Sequence, residues 1–317
     1  MIARALGDML FPVKWAAVAR LAALVTCVGL ATSRLGLLAH ELVGHGGAAV
    51  AMGGQVTAVR LFWFAGGWVR YEGVTHGQLF VSMGGIAVEL VVGALITLIL
   101  VRRGSSLAVR VGRCVGAALV IHAAWYLATG TFHGYGDGLR LHRELGGARV
   151  LVWVPAALLA VGVSFLAARS VLGAFAHVGG GRTGTAIALV VGLGAQLGAM
   201  MVEVRVRRDE SYTRMMTHEN TRVADREYAA WLAAQQKGGA VPDDAQREHQ
   251  QQALAAAHRD FPFAYVLALL LIAAVIVGAL RARPAQDAML TSRLLGSVAA
   301  IALGSIAVVI AIGALLS

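Results

Sequence analysis

The sequence predicts an all-α polytopic membrane protein with about eight transmembrane helices, a small membrane-associated β-hairpin and an extramembrane helical hairpin. Three observations lead there. The 317 residues are 58% hydrophobic and only 14% charged, where an ordinary soluble domain carries about 25% charged residues. Mean hydropathy is +0.71. Uncharged stretches recur at 79–88, 151–168, 183–202, 261–280 and 294–317. Roughly 20 such residues cross about 30 Å of hydrocarbon as a helix, and without water to satisfy the backbone only a helix will serve for isolated runs.

Taken in order, the spans are expected near 13–33, 35–52, 78–101, 108–129, 149–168, 183–206, 262–281 and 293–315. The first follows basic residues, as a signal sequence would. No small-residue cleavage site precedes the next run, so it is read as a retained span. Between the second and third spans, 55–74 is rich in Val, Phe, Trp and Tyr around Ala65-Gly66-Gly67, the pattern of a hairpin with a Gly-containing turn. The only long hydrophilic stretch is 205–260, where mixed charges and the apolar stripe Tyr228, Trp231 and Leu232 predict two helices around a loop at 237–244. The chain therefore divides into an N-terminal helix (1–34), a core (35–146), two further spans (147–206), the hydrophilic region (207–261) and a C-terminal transmembrane hairpin (262–317). Much of the glycine, 39 residues in all, is accounted for by close helix packing. Cys27 and Cys114 both fall in apolar runs and form no disulfide framework.

The formal charge of +10 does not indicate a nucleic-acid partner, because the basic residues cluster in short loops between apolar runs. Arg102, Arg103, Arg110 and Arg113 surround one loop, and Arg281, Arg283 and Arg293 another. That placement fits anchoring at the cytoplasmic face of a lipid bilayer, expected to be a bacterial inner membrane. Eight spans put those two loops on one side, with 205–260 and the basic N-terminus on the other.

The chemistry is concentrated in His40-Glu41-Leu42-Val43-Gly44-His45. Ionisable groups within a span are costly and mark function by default. Two imidazoles and a carboxylate suit Zn²⁺, which takes nitrogen and oxygen ligands and leaves a position for water. Histidines at i and i+4 lie roughly 40° apart around a helix, but at i and i+5 a regular helix separates them by about 140°. A π-bulge at Val43-Gly44 would bring them together, with Glu41 as general base. The other solution keeps the helix regular and makes Glu41 and His45 the ligands. Histidines in spans often only hydrogen-bond neighbouring helices, but three ionisable groups in six residues fit that account poorly. Asp137, between Gly136 and Gly138 just past a helix, is the best third ligand, and His133 is its rival. Glu89 and His122 are candidates to orient a ligand imidazole, or simply to tie two helices together. His142, His177, His218, His249 and His258 lie in polar sequence and are expected to be solvated.

An ordered series of segments resembles the site-2 protease family of intramembrane zinc metalloproteases. "HELVGHGGAAVAMGG" (40–54) resembles the family's His-Glu-x-x-His helix with one residue inserted. The hairpin at 55–74 stands where the family has membrane-embedded β-structure. "MGGIAVE" (83–89) is similar to its Gly-Pro-x-x-Asn element, with Ile86 at the proline and Glu89 at the asparagine. "FHGYGDGLRL" (132–141) resembles its Leu-Asp-Gly element, although the preceding Asn–Pro pair is missing. The likeness covers roughly 35–146. It implies a zinc held by His40, His45 and Asp137, with Glu41 as catalytic base in an intramembrane metalloendopeptidase. The implied substrate is a membrane protein, cut in or near a transmembrane segment, with an extended stretch pairing against the hairpin edge. The alternatives are a membrane zinc hydrolase acting on a lipid amide or ester, and an inactive protease-like scaffold.

Overall fold

The computed structural model describes residues 14–207, 233, 262–283, 285 and 288–316. Apart from Arg207 and Ala233, the helical hairpin expected at 207–261 lies outside the described residues. Among the described residues seven helices, not eight, are long and apolar enough to cross a membrane. The first two expected spans are one continuous helix, α1, Trp15–Ala51, of 37 residues. The expected boundary at 34/35 falls in mid-helix, at Arg34. The side chain is only 3% exposed. Its guanidinium donates to the carbonyl oxygens of Phe62 at 2.6 Å and Phe64 at 3.1 Å, and to Ser33 Oγ at 2.8 Å. A charge whose two terminal nitrogens are taken up inside the protein can remain within a span, so the helix runs on.

The carbonyls that Arg34 binds belong to the tip of the β-hairpin. Strands β1 (Gln55–Leu61) and β2 (Gly67–Glu72) pair antiparallel, from Gln55 opposite Glu72 to Leu61 opposite Gly67, with one irregularity between Val56 and Ala58. The expected hairpin is therefore present, but its tip is the five residues 62–66 rather than a three-residue turn at 65–67, Gly67 being the first residue of β2. Glu203 accepts hydrogen bonds from the tip amides of Trp63 (2.6 Å), Phe64 (2.6 Å) and Ala65 (3.1 Å). Arg207 pairs with Glu203 at 3.1 Å and lies 4.7 Å over the Phe62 ring. Irregular backbone survives at membrane depth only when protein groups satisfy it in this way.

Six long helices follow: α2 (Gln78–Val101), α3 (Leu107–His133), α5 (Val150–Val178), α6 (Arg182–Arg207), α7 (Phe263–Leu280) and α8 (Ser292–Leu316). The short α4 (Leu139–Leu145) sits between single 3-10 turns on the way from α3 to α5. Helix α5 extends ten residues past the expected 168, through Arg169 to the glycines at 179–181. One end of the bundle is an apolar core of Val18, Leu21, Val25, Leu107, Val171 and Phe175. Outward-facing Leu98, Leu269 and Leu303 are 65–70% exposed, as lipid-facing side chains should be.

Candidate metal centre

The residues of 40–46 build the site through a change of helix type. Within α1, Ala39–Gly46 is a π-helix. Its i→i+5 ladder places residue i+5 over residue i, so the extra residue between the histidines is absorbed and both rings emerge on one side. The ring centroids of His40 and His45 are 4.9 Å apart, at 75°. Glycines set the neighbouring helix close beside them. A Cβ on Gly44 would lie 2.6 Å from the Gly85 nitrogen, and a Cβ on Gly85 would run into the His40 ring. The small-residue face of α2 at 84–85 thus gives His40 its space.

Asp137 arrives from the far end of α3. That helix ends at Gly134, whose φ of +77° is the left-handed cap. Gly136, at φ +50°, reverses the chain again, and the space a Cβ would fill there is held by the Tyr126 hydroxyl. The following 3-10 turn, Gly136–Gly138, returns Asp137 toward α1.

Three atoms then converge. His40 Nε2 and His45 Nε2 are 3.2 Å apart, and Asp137 Oδ2 lies 3.1 Å from the first and 3.2 Å from the second. Asp137 Oδ2 is buried and makes no hydrogen bond of proper geometry. An imidazole N–H points along one direction only, so hydrogen bonds do not account for a three-way meeting. A tetrahedral shell with ligand distances of about 2.0–2.1 Å sets its donor atoms roughly 3.3–3.4 Å apart, close to this triangle. The cluster could hold a metal ion, and two nitrogens and one oxygen fit a site with a fourth position left open.

The groups behind the ligand atoms also matter. His45 Nδ1 is 2.8 Å from the Val81 carbonyl, an acceptor only, so Nδ1 carries the hydrogen and Nε2 presents its lone pair. His40 Nδ1 faces Glu89 Oε2 at 3.6 Å, and the same oxygen is 2.8 Å from His122 Nδ1. Glu41, next to His40 on the π-helix, is 6% exposed. His133 is not brought to the cluster; its ring packs against Phe132 at 4.8 Å and near Phe263 and Tyr135. His142, expected to be solvated, instead contacts the Thr131 carbonyl at 3.0 Å and Arg149.

Two participants were not foreseen. The Tyr126 ring lies 6.1 Å from that of His40 and stacks on His122. The Val81 carbonyl fixes the His45 tautomer. A signal for Tyr126 existed in the spacing of His122, Tyr126, Thr129 and His133, which follow one face of a helix. No signal could mark a backbone carbonyl. No family model, curated protein or solved structure matches this chain.

Proposed function

We propose that the cluster is a zinc site and that the chain is an intramembrane metallopeptidase, cleaving peptide bonds in or near membrane-spanning segments of other proteins. The observation that carries this is the triangle of His40 Nε2, His45 Nε2 and Asp137 Oδ2, with Glu41 buried beside it. The site-2 protease resemblance supports the substrate class, since the π-helix reconciles its lengthened motif with a shared ion. Zinc in such a shell lowers the pKa of a bound water to about 7 and polarises a neighbouring carbonyl.

The chain's own residues do the rest. Val81 holds the His45 imidazole with Nε2 turned inward. Glu41 takes a proton from the attacking water as the carbon–oxygen bond forms, and passes it to the amine nitrogen as the carbon–nitrogen bond breaks. Burial of Glu41 and of both rings keeps bulk water from competing. An apolar cavity of about 160 Å³ lies between α1, α2 and α3 and reaches Glu89 and Leu119.

Metal analysis together with cleavage of a membrane-embedded reporter peptide tests the proposal. About one zinc per chain is expected, with activity lost on chelation and restored by zinc. Stoichiometric zinc without cleavage of any membrane peptide would overturn the peptidase; absence of zinc would overturn the metal site as well.

A further inference from the structure

A second cluster of ionisable groups lies one step behind the triangle. Glu89 is 3% exposed in the middle of α2, where an unpartnered carboxylate would be prohibitively costly. Its Oε2 is shared between His122 Nδ1 at 2.8 Å and His40 Nδ1 at 3.6 Å. The His122 side chain, by contrast, is 57% exposed, and its ring continues into Tyr126, which also borders His40. A polar row thus runs from the bundle surface to the ligand cluster: His122, Glu89, His40.

The two candidate ligand histidines are backed differently. His45 donates to a neutral carbonyl. For His40 Nε2 to bind a metal, Nδ1 must carry the ring hydrogen. That nitrogen makes no hydrogen bond, and Glu89 Oε2 is the acceptor facing it. Ligand-bearing histidines regularly give their second hydrogen to a carboxylate, which fixes the ring and makes it the stronger donor. The spacing is also built for it. Gly36 is the α1 residue facing Glu89, and a Cβ there would stand 3.4 Å from Glu89 Oε1 and 2.9 Å from Leu119.

We infer that Glu89 is a positioning residue for His40, held in place from the surface side by His122, so that the metal affinity of the site depends on the charge of a residue that never touches the ion. The inference rests on the metal role proposed above. A plain structural tie between α2 and α3 would need only the hydrogen bond, not the charge.

Glu89→Gln separates the two, because the amide keeps the shape and the hydrogen bond to His122 but loses the anion. Zinc affinity should fall about 10–100-fold, and the visible bands of the cobalt-substituted protein should shift. The unfolding temperature of the metal-free protein should match wild type. His122→Leu, which strips Glu89 of its surface-side partner, should weaken zinc binding in the same direction. Wild-type zinc affinity and an unchanged cobalt spectrum in Glu89→Gln would overturn the inference and leave the metal site standing. A wild-type chain that binds neither zinc nor cobalt would overturn the metal site first, and this inference with it.

Discussion

The proton on Glu41 separates base from ligand. Glu41→Gln keeps the side chain's shape and leaves His40, His45 and Asp137 in place, so zinc content should stay near wild type. Hydrolysis should fall by about 10²–10⁴, the usual worth of general-base assistance. Joint loss of zinc and activity would instead make Glu41 a ligand. Asp137→Ala removes the only anion of the triangle and should abolish or greatly weaken zinc binding; full zinc content there would displace Asp137 from the ligand set. At this scale much was legible. An ionisable group in an apolar helix stands out against its background, which is how His40, Glu41, His45 and Glu89 were singled out. Asp137 stood out through its glycine neighbours. Tyr126 was not singled out, although its spacing from His122 places both on one helix face.

The π-segment of α1 and the glycine face of α2 act as one element. Gly44→Ala and Gly85→Ala each insert a methyl where no space exists, the first against backbone and the second against the His40 ring. Overpacking of this kind costs about 1–3 kcal/mol, and zinc loss should exceed the loss of thermal stability because the ligand itself is displaced. Gly162→Ala, whose Cβ would meet nothing within 4 Å, serves as the control and should bind zinc like wild type. Equal zinc binding in all three variants would mean that the glycine contact does not set the site. The helix distortion was readable as one of two solutions, because two histidines five apart meet only if one residue is absorbed; the π-helix at 39–46 decides between them. The fused first helix was not readable. Arg34 looks like a loop residue until the carbonyls at 62 and 64 are seen to receive it.

Joining the first two spans changes the side on which the N-terminus lies. Arg20 donates to the Leu290 carbonyl and Arg110 to that of Ser170, so the start of α1, the loops at 102–106 and 179–181, and the described residues between α7 and α8 share one end of the bundle. The start of α1 now lies with the Arg-rich loops, where eight spans had set it apart from them. By the positive-inside rule that end is expected in the cytoplasm, and the 52–77 and 134–149 segments are expected outside. In a chain lacking Cys27 and Cys114, a membrane-impermeant maleimide should label His76→Cys from outside the cell and spare Ser105→Cys. The reverse pattern would invert the orientation.

The length of α1 has a further consequence, for the lipid. Its 37 residues amount to about 56 Å at 1.5 Å per residue, while α7, with 18, reaches only about 27 Å. The hydrocarbon layer is about 30 Å thick, so α7 is matched to it and α1 is not. Val43 and Val50, near the far end of α1, are 62% and 60% exposed, so that end is greasy rather than wetted. Tilt and local deformation of the bilayer are the ways a helix longer than the hydrocarbon layer is accommodated. The lipid beside α1 therefore meets a longer helix than the lipid beside α7. Membranes that differ in thickness or stiffness should not hold it equally well.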